Sequence, residues 1–183
     1  MSCANDHFFL DAAEHTRMKK LAQTGITLPE QIKIERNSVL YRVGHSNKDF
    51  NMNLTSPWWM SDASFDYLRR ETARQADDMR LDRAFRKMYR NKLAVAHCFG
   101  PGDVLVKVAV RQRLRAFTGR GGHVIDDKSA DIPIQWIGGF EIAQYFIPGL
   151  RLENDSASPI CRAALEVLAY QPLASFILAR QGM

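Results

Sequence analysis

The chain has 183 residues, 46% of them hydrophobic, which is enough to bury one hydrophobic core, and chains of this length usually form a single domain. Lysine and arginine outnumber aspartate and glutamate by 25 to 20; this favours an anionic ligand such as a nucleotide or a nucleic-acid backbone, although ordinary surface solvation explains a mild excess equally well. No run of about 18 apolar residues occurs, which excludes a membrane-spanning helix.

The cysteines and the first fifteen residues indicate the cellular compartment in which the protein acts. Cys3, Cys98 and Cys161 are widely spaced and form no CxxC pair, so the sequence predicts a reducing compartment and no structural metal. The first fifteen residues mix acidic residues and histidine with short apolar groups, unlike a signal peptide. We therefore expect a soluble protein that acts in the cytoplasm and has no membrane partner.

The first third of the chain changes from a helical to a β-like pattern. Residues 6–22 have helical spacing, and residues 32–44 are β-like, since apolar residues alternate up to Gly44. This alternation places Arg42 on the opposite face of the strand from Tyr41. A polar loop and a short strand with a central proline follow, over 45–53 and 54–60.

A long helical pattern runs from residue 63 to about residue 96, and Ser61 or Asp62 can cap it. Its phase slips near 75–78, so two helices or one kinked helix are predicted. Its polar face is strongly basic: a solvated face is the ordinary interpretation, and a phosphate or RNA track is the alternative. The basic residues are Arg69, Arg70, Arg74, Arg80, Arg83, Arg86, Lys87, Arg90 and Lys92.

Strand patterns dominate the second half of the chain. The four valines from Val104 to Val110 alternate with other residues, and further strands are predicted up to residue 118, over 132–137 and over 140–147. The tail beyond Pro159 reads as helical. Strands in the middle and helices at the ends predict an α+β domain with a mainly antiparallel sheet.

Common catalytic templates are missing, since the sequence has no GxxxxGK[ST] loop, no GxGxxG after a strand, no GxSxG elbow and no HExxH. Three separated segments remain. The first is SVLYRVG at 38–44, and the planar guanidinium of its Arg42 can bind phosphate oxygens through two parallel hydrogen bonds. The second is TSPWWMSDASF at 55–65, which brings hydroxyl and aromatic side chains to the start of the long helix. The third is WIGGFEIAQYFIPG at 136–149, with Gln144 four residues before Pro148.

In this order and spacing, the three segments resemble the core of the ADP-ribosyltransferase-like toxin superfamily. The resemblance implies a split antiparallel β-sandwich of two small sheets with NAD as substrate in the cleft between them. It also implies one domain over 1–183, with a core at about 32–152 and helical extensions at 1–31 and 153–183. The NAD-binding residues it implies are Tyr41, Arg42, Val43, Gly44, Ser56, Trp58, Trp59, Ser61 and Phe65, although the two tryptophans can equally be core anchors.

The catalytic residue that the resemblance implies is Gln144, assisted by Arg42. Family transferases normally carry a glutamate there, which grips the ribose 2′-hydroxyl and stabilises the cation formed as nicotinamide leaves. An amide offers no full negative charge, and some NAD glycohydrolase toxins of the superfamily carry glutamine at this place. Glu141 is a second candidate, but it lies an odd number of residues away, so it needs a bulge to reach the same face.

Three functions stay open at this point. Mono-ADP-ribosyl transfer to a protein or nucleic-acid acceptor comes first, because the basic helix suggests an acceptor surface. Hydrolysis of NAD, which would deplete the cell of NAD, is the close alternative. A non-catalytic RNA- or protein-binding module built on the basic helix is the third. The resemblance also implies a toxin that acts in the cytoplasm after delivery into a target cell, and an immunity or antitoxin partner.

Overall fold

The computed structural model describes residues 2–75, 80–126, 134–138 and 142–179. The helices in these ranges are α1 (His7–Leu10), α2 (Ala12–Ala22), α3 (Phe50–Leu54), α4 (Asp62–Gln75), α5 (Leu81–Leu93), α6 (Pro159–Ala164) and α7 (Leu173–Ala179). The strands are β1 (Glu30–Ile34), β2 (Val39–Gly44), β3 (Trp58–Ser61), β4 (Val104–Val110), β5 (Leu114–Gly119), β6 (His123–Asp126), β7 (Ile134–Ile137), β8 (Gln144–Phe146) and β9 (Leu165–Pro172). None of the described helices has the length and apolar character needed to span a bilayer.

Seven of these strands form one antiparallel sheet in the order β1-β5-β8-β3-β2-β4-β9, and β6 pairs with β7 separately. The predicted α+β class with an antiparallel sheet is confirmed. We expected two small sheets, whereas β2 pairs with both β3 and β4 and so joins the strands on its two sides. The β2–β3 ladder is short, with only Leu40–Ser61 and Tyr41–Met60 in register.

Both faces of the sheet are covered, which explains why β4 is apolar along nearly its whole length. The face that carries Leu40 and Val106 packs against α6. The opposite face carries Tyr41 and Leu105 and packs against α4, α5 and α7. Helices α1 and α2 cover the end of the sheet near Phe117. The candidate site lies on the side of α5, where the short β2–β3 ladder ends.

The long helical pattern corresponds to two helices, α4 and α5, on either side of residues 76–79, which lie outside the described part of the chain. Ser61 caps α4, as predicted, because its Oγ accepts a hydrogen bond from the Ser64 N–H at 3.0 Å. The two helices pack on the sheet through Phe65, Leu68 and Phe85.

The C-terminal part is not wholly helical, which corrects the prediction for residues beyond Pro159. Residues Leu165–Pro172 form β9, which pairs with β4 along its outer edge. Apolar residues in this segment also fit helical spacing, but the edge of β4 offers backbone hydrogen-bond partners, and these stabilise a strand instead of a helix. Two shorter differences are α3 and β6, which lie in segments predicted as loops.

Candidate functional site

A cavity of about 300 Å³ lies between the sheet, α5 and the turn that follows α2. Arg42 from β2 and Gln144 from β8 both line it. The other lining residues are Thr24, Gly25, Val43, His45, Trp58, Tyr89, Leu93, Ala94, Val95, Phe99 and Val124. A volume of this size is at the lower end for ligand sites.

Strand alternation alone would separate Arg42 from Gln144. Gln144 pairs with Met60, and Met60 pairs with Tyr41, so these three residues share the face covered by α4 and α5. Arg42 follows Tyr41 directly, so alternation assigns it to the opposite face. However, the registered β2–β3 ladder ends at Tyr41, and one step beyond it the Arg42 Nη1 donates to the Trp58 carbonyl at 3.3 Å. The long arginine side chain thus brings a cation to a cavity that a shorter residue at this position would not reach.

Arg42 is a buried cation that has no counter-charge in the part of the chain that the structure describes. It is 8% exposed, it forms no ion pair with the described residues, and its buried Nε has no hydrogen-bond partner there. Burial lowers the pKa of Arg42 to about 10, helped by the nearby charge of Arg151, so the group remains charged at neutral pH. Because a buried, unpaired charge is costly, the cavity is electrostatically suited to an anion.

His45 follows β2 and contributes a neutral imidazole to the cavity. The Gly102 N–H donates to its Nδ1 at 3.0 Å, so Nδ1 is the acceptor and Nε2 carries the proton. Asn53 fixes the His45 backbone from both sides, accepting from its N–H at 2.9 Å and donating to its carbonyl at 2.9 Å. Burial, with Lys48 and Arg42 nearby, lowers the pKa of His45 to about 4. His45 therefore offers Nε2–H as a neutral donor.

The depressed pKa of His45 predicts a specific pH dependence of stability. The unfolded chain takes up a proton near pH 6.5 and the folded chain only near pH 4, so the free energy of unfolding falls as pH is lowered through this window, by about 2 kcal/mol at pH 5. Urea unfolding of wild type and His45→Gln at pH 7, 6 and 5 measures this contribution as the difference between the two. The exposed His7→Gln is the matched control, and a wild-type minus His45→Gln difference that stays constant from pH 7 to 5 would contradict the assignment.

Tyr89 approaches the cavity from α5. Its hydroxyl makes no hydrogen bond with the described residues, and it lies close enough to Arg42 for the two groups to interact electrostatically. Burial raises the pKa of Tyr89, so the hydroxyl stays protonated and is a second neutral donor. Arg42, His45 and Tyr89 together supply three kinds of donor to one small volume, which suits a phosphate group.

Gln144 and Trp58 also line the cavity. The Gln144 Nε2 donates to the Gly25 carbonyl, which leaves Oε1 without a donor among the described residues and available to a ligand hydroxyl. Trp58 is partly exposed and packs edge-on against Phe146, with ring centroids 5.0 Å apart. A Cβ on Gly25 would lie 2.6 Å from the Trp58 ring, so only glycine lets the turn after α2 close over the tryptophan.

Three aromatic residues expected at the site lie in the core instead. Trp59 is 2% exposed, and its Nε1 donates to the Ser56 carbonyl at 2.8 Å. Tyr41 and Phe65 stack on each other with centroids 4.2 Å apart, inside the cluster under α4. These three side chains pack in the core, and none of them lines the cavity.

The remaining expected residues divide into three groups. Val43 lines the cavity, but Gly44 packs against Asn53, and Ser61 is used as the α4 cap. Ser56 is buried, with its Oγ 3.5 Å from the Trp58 N–H, and does not line the cavity. Glu141 lies outside the described residues. His45 and Tyr89 were missed, because scattered histidines and a tyrosine within a basic helix give no local signal.

The fold and the cavity together define a mixed α/β protein with an antiparallel sheet and a small cavity lined by a buried arginine. No group of three or more His, Cys, Asp or Glu side chains that could hold a metal ion occurs in the described ranges. No protein-family model and no curated protein matches the chain. A solved structure similar to it is Rhs1-CT in complex with cognate immunity protein RhsI1, with 17% identity and a TM-score of 0.41 over 81% of this chain and 82% of that chain. Similarity this low assigns neither an activity nor a partner.

Proposed function

We propose that the protein is an NAD-cleaving enzyme of the ADP-ribosyltransferase type and that the cavity binds the reacting end of NAD. The observation that carries the proposal is Arg42, a buried cation with no counter-charge among the described residues, in the same cavity as Gln144 and Trp58. A dinucleotide supplies the anion that this arginine lacks.

Each chemical group of the nicotinamide half of NAD has a suitable partner among the cavity residues. Arg42, with the neutral donors of His45 and Tyr89, suits a phosphate of the pyrophosphate. The ring of Trp58 offers a stacking surface for nicotinamide, and Oε1 of Gln144 can accept from a ribose hydroxyl. A volume of about 300 Å³ suits enclosure of the nicotinamide ribose half, with the adenosine half outside.

The proposed reaction breaks the bond between the ribose C1 and the nicotinamide nitrogen. The electron pair leaves with nicotinamide, and positive charge develops on the ribose. Gln144 holds the ribose and stabilises this charge through the amide oxygen dipole. An acceptor nucleophile then bonds to C1 and releases its proton to solvent. The split-sandwich architecture, with the strands on either side of the short β2–β3 ladder as its two halves, belongs to this same proposal. A macromolecular acceptor, a cytoplasmic site of action and an immunity partner belong to it too.

Hydrolysis is the second candidate, and the neutral side chain of Gln144 favours it. An amide stabilises the cation less than a carboxylate would and does not activate an acceptor as a base. Water, present at high concentration, then replaces the macromolecular acceptor and the products are ADP-ribose and nicotinamide. A non-catalytic binding module is the third hypothesis, and it predicts no release of nicotinamide.

Incubation of purified protein with NAD is expected to release nicotinamide, measured by chromatography. Transfer predicts that release increases at least tenfold when an acceptor extract is added and that labelled ADP-ribose becomes attached to macromolecules. Hydrolysis predicts equal release with and without extract, and free ADP-ribose. Absence of nicotinamide in both arms, with a folded protein by circular dichroism, would contradict the proposal.

A further inference from the structure

A second cationic feature lies on α5 and is lined by a different set of residues from the cavity. A groove of about 880 Å³ is bordered by Arg83, Arg86, Lys87 and Arg90, which follow one another at helical spacing on one face of the helix. Exposed His97 and Asn91 continue it. No aspartate or glutamate occurs among the described residues that line this feature, which we call the α5 groove.

The basic residues of α4 and α5 differ in how they are neutralised. On α4, Arg69 and Arg70 pair with Asp66 at 2.8 and 3.1 Å, and Arg74 pairs with Glu71 at 2.6 Å. On α5, Arg86 pairs with Asp82 at 3.1 Å, whereas Arg83 and Lys87 are exposed and form no ion pair with the described residues. Of the basic residues compared on these two helices, the exposed ones without an ion pair, Arg83 and Lys87, therefore both border the α5 groove.

One side of the α5 groove is held rigidly. The Arg90 guanidinium donates to the carbonyls of Ala96 and Gly100, at 2.7 and 2.5 Å, and ties the segment after α5 to the helix. The same segment carries Phe99, a 50% exposed aromatic ring beside His97. Phe99 lines the cavity, and its neighbours His97 and Gly100 border the groove, so an exposed aromatic ring lies beside the row of cations.

We propose that the α5 groove binds single-stranded nucleic acid through its phosphate backbone, with Phe99 as a stacking surface for a base. Protein interfaces are depleted of charged residues at their centres, whereas nucleic-acid interfaces are polar and strongly positive, as this groove is. A basic groove beside an exposed aromatic is the arrangement that single strands use. This proposal does not depend on cleavage of NAD.

Fluorescence anisotropy with a labelled twelve-nucleotide single strand, at 50 to 200 mM salt, tests the proposal. The Arg83→Gln/Lys87→Gln variant is expected to lose at least tenfold in affinity, and the slope of log affinity against log salt should become shallower by about 1.4 because two phosphate contacts are lost. Phe99→Ala should weaken binding about tenfold with an unchanged slope.

The matched control is Lys19→Gln/Lys20→Gln on α2, which removes the same charge from two other exposed lysines. It should bind like wild type, and an equal loss in this control would show non-specific attraction and overturn the proposal. Equally tight binding of a duplex, or of polyglutamate in place of the oligonucleotide, would also overturn it. Arg42→Met should keep its affinity for the oligonucleotide, so a failure of the proposed NAD site is distinguishable from a failure of the α5 groove.

Discussion

Replacement of Arg42 by methionine is expected to abolish NAD cleavage and to stabilise the ligand-free protein. Burial lowers the pKa of Arg42 from 12.5 to about 10, which corresponds to about 3 kcal/mol of unfavourable burial. The variant also loses the Nη1 hydrogen bond to the Trp58 carbonyl, which reduces this gain in stability by about 1 kcal/mol. The free energy of unfolding should therefore rise by about 2 kcal/mol, which raises Tm by about 4–8 °C. Loss of the phosphate contacts should lower kcat/KM at least ~100-fold.

Arg115→Met is the control for Arg42→Met, because Arg115 is paired with Asp6 at 2.6 Å and does not line the cavity. This variant should be destabilised and should keep its NAD cleavage. NAD or pyrophosphate should raise the Tm of wild type but leave that of Arg42→Met unchanged. Full activity in Arg42→Met would show that the anion site is not the reactive site, and a loss of stability would show that the arginine is structural.

Replacement of Gln144 by alanine is expected to lower kcat for NAD cleavage about 100-fold, with less than a threefold change in KM. The amide oxygen is needed mainly when positive charge develops on the ribose, so the transition state loses more than the bound substrate does. Gln144→Glu keeps an oxygen at this place and should be at least tenfold faster than Gln144→Ala. Steady-state release of nicotinamide gives all three values.

Thr118→Val is the control for Gln144→Ala. The Thr118 hydroxyl donates to the Gln144 backbone carbonyl at 3.3 Å, so this change disturbs the same strand and leaves the amide in place. We expect less than a threefold change in kcat. An equal loss of kcat in Thr118→Val, or a rise in KM with unchanged kcat in Gln144→Ala, would assign Gln144 a structural or a simple binding role.

Strong periodic signals predicted the main elements of the fold correctly. The alternating valines of β4 and the helical spacing after Ser61 reflect which residues face the core. This periodicity can be read from a short stretch of sequence. The pattern failed at β9, where a short apolar segment fits both periods. Its partner, the free edge of β4, is about sixty residues away in sequence, and only the folded chain brings the two together.

The candidate site was predicted less completely than the fold. Arg42, Gln144, Trp58 and Val43 line one cavity, but Trp59, Tyr41 and Phe65 pack in the core. Sequence alone does not distinguish an aromatic that stacks on a ligand from one that fills a core, since both are apolar and both sit on strands or helices. Two polar residues of the cavity, His45 and Tyr89, were recognised only from their positions in the folded structure.

The sequence by itself determined the α+β class, the antiparallel strands of the centre and the concentration of basic residues in one helical region, because each depends on composition or on local periodicity. The tertiary structure alone decided that Arg42 and Gln144 share a cavity. Strict alternation along β2 and β8 puts them on opposite faces, and it is the short β2–β3 ladder and the length of the arginine side chain that bring them together.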